Sequence, residues 1–130
     1  MLPDDQKRIL GYFIEEARDH LQTIEQGLVN LSATLANPEL INEVFRAAHS
    51  VKGGAAMLGL GDMQRTAHRL EDFFKLLKDS SMRPDRELES MLFQVFDGLQ
   101  EQLNQLQNPF ALGKAEADRK STRLNSSHRT

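Results

Sequence analysis

The chain has 130 residues, a formal net charge of −3 at pH 7 and no cysteine, which suits one domain built on one core. With 39% hydrophobic and 27% charged residues and no apolar run near the ~20 residues of a membrane span, it excludes a transmembrane protein. Lys and Arg are scattered among acids and so give no general attraction to nucleic acid, while the start "MLPDDQKRIL" lacks the basic end and apolar core of a signal peptide. A cytoplasmic domain with protein partners is expected.

From Ile9 the apolar residues recur as Ile9, Phe13, Ala17, Leu21, Ile24, Leu28, Leu31 and Leu35, in steps of three and four that predict one helix with Asp4 or Asp5 as N-cap. "NPEL" is a start signal, with Asn37 as cap and Pro38 at the first position, for a second helix to about Leu58, ended by Gly59 and Gly61. A third helix, roughly Asp62 to Lys78, turns Met63, Ala67, Leu70, Phe74 and Leu77 inward and Arg65 and Asp72 outward. "SSMRPD" breaks the pattern. A fourth helix runs from about Pro84 to Gln107, with Leu88, Met91, Leu92, Val95, Leu99, Leu103 and Leu106 inward, and "NPF" stops it. Met57 and Phe73 are read as core.

Four amphipathic helices with short connections and no alternating strand pattern predict an all-α, antiparallel up-and-down four-helix bundle over residues 1–108. Residues 109–130 lose the period and are expected to be an unstructured linker. Within them "DRKSTRLNSSH" resembles the conceptual translation of a sequencing-library adapter, so His128 is given no function and the natural chain is expected to continue further.

The stretch "AAHSVKGGAAML", residues 47–58, carries the chemistry. At 100° per residue Ile41, Val44, Ala48, Val51 and Ala55 gather on one side with Leu58 at the edge. His49 falls off that cluster, flanked by Phe45, Lys52, Gly53 and Ala56. It therefore stands at the rim, with a cation beside it and a glycine one turn on, open to another protein. Two adjacent helix-interior glycines each cost roughly 0.5–1 kcal/mol relative to alanine, which local propensity does not explain. On the third helix His68, Glu71 and Lys75 share one flank, and a short hairpin would turn that flank toward His49 and Lys52. A carboxylate accepting the Nδ1 proton of an imidazole leaves Nε2 as a free nucleophile.

"FRAAHSVKGGAAMLGL" followed by "AHRLED", together with "YFIEEARDHLQTIEQGLVNL", closely resembles the histidine-containing phosphotransfer (HPt) domain found at the N-terminus of chemotaxis-type histidine kinases. The resemblance covers about residues 4–107. It implies that His49 is the phosphoacceptor through Nε2, that Lys52, His68 and Glu71 form a hydrogen-bonded network around it, and that Gly53, with Ala56 and Phe45, leaves access for a partner. The implied partners are a histidine kinase catalytic domain, which holds ATP, and the receiver domain of a response regulator, which supplies Mg2+. The domain would be the first module of a larger, hybrid-type kinase serving motility signalling.

The sequence has no G-x-x-x-x-G-K-[ST] loop or glycine-rich nucleotide lid, so no cofactor is expected in this domain and no independent catalysis. Two other readings compete. A metal site from His49, His68 and Glu71 has suitable ligand types, but only one His-x-x-Glu pair is present, where carboxylate-bridged bundles use Glu-x-x-His pairs and further glutamates. A non-catalytic helical scaffold would leave His49 and Gly53 unexplained.

Overall fold

In the computed structural model, which describes residues 3–79 and 83–107, five helices follow one another: α1 (Pro3–Val29), α2 (Leu31–Ala36), α3 (Pro38–Met57), α4 (Gly61–Asp79) and α5 (Arg86–Gln107). No strand occurs among the described residues. The four long helices contact one another in a closed ring, α1 on α3, α3 on α4, α4 on α5 and α5 on α1, with the α3–α4 contact the most extensive. That is the up-and-down bundle expected from the periodicity. The expected tail at 109–130 lies outside the described residues.

The first predicted helix is in fact two. Asn30 leaves helical geometry (φ −132°, ψ 68°) between α1 and α2. Near the end of α1, a Cβ at Gly27 would come 2.5 Å from Val44 Cγ2, so only glycine lets α1 approach α3 this closely. The Thr34 hydroxyl then donates to the Gly27 carbonyl at 2.9 Å, helping to satisfy a helix end. Leu28 and Leu31 are both buried across the break, so the step of three persists and periodicity could not reveal it. At the other end, α1 begins at Pro3, which places Asp4 and Asp5 inside the first turn instead of at the cap.

The second and third helices match expectation more closely. The Asn37 side chain accepts from the backbone N–H of Glu39 (3.0 Å) and of Leu40 (3.4 Å) ahead of Pro38. α3 closes with Leu60 N–H to Ala55 O (2.8 Å) and Gly59 N–H to Ala56 O (3.2 Å), a Schellman arrangement around Gly59 at φ +72°. Gly61 does not end α3; it is already the first residue of α4. The short, sharply turned connection makes α3 and α4 an antiparallel hairpin. α5 starts two residues after Pro84, because the Asp85 side chain caps it by accepting from Leu88 N–H at 2.8 Å.

The core is apolar and continuous: Ala17, Leu21, Ile24, Leu28, Leu31, Ile41, Val44, Ala48, Val51, Ala55, Met63, Ala67, Leu70, Phe74, Leu77, Leu92, Leu99 and Leu103 are all buried. Several expected core positions differ. Ile9 and Met91 are exposed, with Ile14 and Phe96 buried instead. Phe13, Leu35, Phe73, Leu88, Val95 and Leu106 are half-buried against the core. Met57 is 88% exposed, because two residues beyond Ala55 is the opposite side of a helix. Gly54 is a packing residue, since a Cβ there would lie 2.7 Å from the Phe13 ring, whereas a Cβ at Gly53 would meet nothing within 4 Å.

Candidate functional site

The α3–α4 hairpin brings together residues 22 positions apart: His49 Nδ1 is hydrogen-bonded to Glu71 Oε2. On the same carboxylate, Lys52 Nζ donates to Oε1 at 2.6 Å. The register follows from the periodic faces. Ala48 and Val51 on α3 and Leu70 and Phe74 on α4 fill the core, and this leaves His49, Lys52 and Glu71, each next to a core residue, along the seam.

Burial differs sharply within the cluster. The Glu71 side chain is 8% exposed, Lys52 25% and His49 61%. Glu71 is the one buried carboxylate among the described residues, and a buried charge persists only when it is paired and hydrogen-bonded. Burial alone would push its carboxyl up, but the hydrogen bonds and charges of Lys52 and His49 outweigh it and hold the group below the usual carboxylate range. An ionised Glu71 is an acceptor only, so it takes the Nδ1–H of His49 and leaves the Nε2 lone pair free at the exposed edge.

The lowered carboxyl sets a sign for pH dependence. A group depressed on folding stabilises the fold above its unfolded value, and that contribution is lost as pH falls through the folded value. The denaturation midpoint should therefore decline on acidification below the ordinary carboxylate range, and Glu71→Gln should abolish that part of the decline. At neutral pH the variant should be less stable by about 1 kcal/mol, the size of a charge-assisted hydrogen bond discounted for the exposure of its partners. Chemical denaturation of both proteins between pH 7 and pH 3 checks it; identical pH profiles would show that Glu71 contributes nothing.

The structure does not bring in every residue that the sequence placed here. His68 is not part of the cluster: its Nε2 lies 3.5 Å from Asp72 Oδ2, and both side chains are largely exposed. An i,i+4 partner across one turn is within easier reach than Glu71, whose two oxygens are already taken by His49 and Lys52. Lys75 is exposed on the outer side of α4. Lys52, expected in the network, is paired with Glu71, with two of its three N–H donors left over. Gly53 and Ala56, one and two turns after His49 on α3, are exposed.

Phe45 is half-buried against the core, and its ring stacks on His49 with centroids 6.5 Å apart and planes at 16°. Lys78 Nζ sits over the Phe45 ring, 5.6 Å from its centroid. Sequence reasoning did not single out Lys78. Its signal was present, since it lies two turns beyond Glu71 on α4 and so, in an antiparallel hairpin, near the turn of α3 that precedes His49. The described residues contain no group of three His, Cys, Asp or Glu able to hold a metal ion. The third member of the His49–Glu71 cluster is instead an ammonium, which neutralises the carboxylate.

The sequence matches the Hpt domain family over residues 8–118, ten residues past the expected boundary at 108. It is 38% identical over 92 residues to the chemotaxis protein CheA of Klebsiella aerogenes, covering 71% of this chain and 14% of that protein. To the CheA of Bacillus subtilis it is 31% identical over 96 residues, covering 74% of this chain and again 14% of the relative. The chain thus spans a small part of the length of these relatives. Among solved structures it is similar to the CheA phosphotransferase domain from Thermotoga maritima, with a TM-score of 0.67 and 29% identity over 76% of this chain and 94% of that one.

Proposed function

Because the chain belongs to the Hpt domain family, the phosphohistidine carriers of phosphorelays, we propose that His49 is its phosphoacceptor, charged through Nε2. The observation that carries this reading is the division of labour at the imidazole. Nδ1 is committed to the buried carboxylate of Glu71, and Nε2 stands in solvent beside the open space at Gly53.

In the forward step the Nε2 lone pair forms a bond to the γ-phosphorus of ATP held by a histidine kinase catalytic domain. The bond from that phosphorus to the bridging oxygen breaks, its electron pair leaving on ADP. Positive charge develops on the ring while Nδ1 keeps its proton, and Glu71 offsets that charge through the hydrogen bond. The two spare N–H groups of Lys52 face growing negative charge on the phosphoryl oxygens, the role that cations take in phosphoryl transfer. In the second step an aspartate oxygen of a receiver domain attacks phosphorus, the N–P bond breaks, and its pair returns to Nε2. ATP and Mg2+ belong to the partner domains, and their supply puts the relay in the cytoplasm. The CheA-type relatives favour a chemotaxis-like kinase as the parent protein.

Incubation with a chemotaxis-type kinase core and radiolabelled ATP tests this chemistry. The expected product is a label on this chain that survives base and is lost in acid, as a phosphoramidate behaves. An acid-stable label would point to a phosphoester and contradict the reading.

A further inference from the structure

The hydrogen bond from Nδ1 to Glu71 and the covalent bond to Cβ restrain the His49 ring at its inner edge, while among the described residues no hydrogen bond is made at the outer edge that carries Nε2. With the side chain 61% exposed, burial adds little restraint, and small χ1 and χ2 excursions within the tolerance of the hydrogen bond would still move Nε2. A contact on the ring face would remove that freedom. Phe45 lies where it can supply one: one turn earlier on α3, its plane within 16° of the imidazole and its centroid 6.5 Å away, near the outer limit of offset aromatic pairs. Phe45 is itself anchored, half-buried against the core, with the Lys78 ammonium 5.6 Å from its centroid, a distance at which a cation is attracted to an aromatic face. Two residues of α4, Glu71 and Lys78, thereby hold a column that rises from α3.

Resting on the assignment of His49 as acceptor, we infer that Phe45, held under Lys78, is a positioning residue that sets the plane of the imidazole and so aims Nε2. Phe45 thus acts on the reacting atom only through His49, and Lys78 only through Phe45.

The full chain carrying Phe45→Leu, Phe45→Tyr or Lys78→Gln tests this, with a kinase core and ATP as phosphodonor and with 13C relaxation of the His49 Cε1–H group measured without donor. Phe45→Leu keeps an apolar side chain against the core but has no flat face. It should slow phosphorylation about tenfold or more, within what misplacement of a reacting atom costs, and the His49 ring should become more mobile. Phe45→Tyr restores the face and should return both readouts to near wild type, with Lys78→Gln between the two. Wild-type rate and wild-type ring order in Phe45→Leu would overturn the inference, as would Phe45→Tyr behaving like Phe45→Leu. Should the unaltered chain accept no phosphoryl group, the acceptor assignment fails, while the relaxation comparison still decides whether Phe45 orders the ring.

Discussion

His49→Gln should accept no phosphoryl group above background while folding as the unaltered chain does. Glutamine can still donate an amide N–H to Glu71, so the buried carboxylate keeps a partner, but an amide has no nucleophilic lone pair comparable with that of Nε2. The position is 61% exposed, and substitution at such a site away from the core usually moves stability by less than about 1 kcal/mol. Helical circular dichroism and the denaturation midpoint check the fold, and the kinase-core assay checks acceptance. Undiminished labelling of a folded variant would remove His49 from the reaction and leave Glu71 and Lys52 as a structural ion pair.

Gly53→Leu should reduce transfer to a receiver domain by about 100-fold, the size expected when docking displaces a reacting atom by about 1 Å. A Cβ at this position meets nothing within 4 Å, so no internal packing requires glycine here. Side chains on a helix lean toward its N-terminus, and one at residue 53 would lean over the imidazole. Gly53→Ala should accordingly raise stability by up to roughly 1 kcal/mol, because the gain in helix propensity carries no clash. The two glycines that looked alike in "VKGG" thus differ in kind. Gly54 leaves room for the Phe13 ring within the protein, whereas the space beside Gly53 is open. Stopped-flow transfer from phosphorylated variants decides the matter, and an unimpaired Gly53→Leu would mean that the partner does not approach over this turn.

Most of the bundle was legible because each long helix buries one stripe, and a stripe of apolar side chains is what a 3.6-residue period records. The failures have specific causes. The break at Asn30 keeps Leu28 and Leu31 in step, so the apolar period runs straight through it. Met57 is apolar but off the stripe of its own helix, and Phe96 was passed over although it follows Leu92 by one turn. At the site, the pairing of His49 with Glu71 could be anticipated because the glycine-rich turn implied a hairpin. The family resemblance implied that His68 would join them, yet the free carboxylate one turn onward, Asp72, takes it instead. Lys78 closes the expected third helix, and its place near Phe45 follows from the same hairpin that pairs Glu71 with His49; the ring contact itself is a tertiary detail.

The central claim is that Glu71 holds Nδ1 so that Nε2 alone receives the phosphoryl group. Heteronuclear NMR on the chain labelled with 15N-histidine, phosphorylated by a kinase core, addresses it directly. The account expects phosphorus coupled to the Nε2 of His49, with Nδ1 still protonated and hydrogen-bonded to Glu71. Phosphorus on Nδ1, or on another residue, would contradict it.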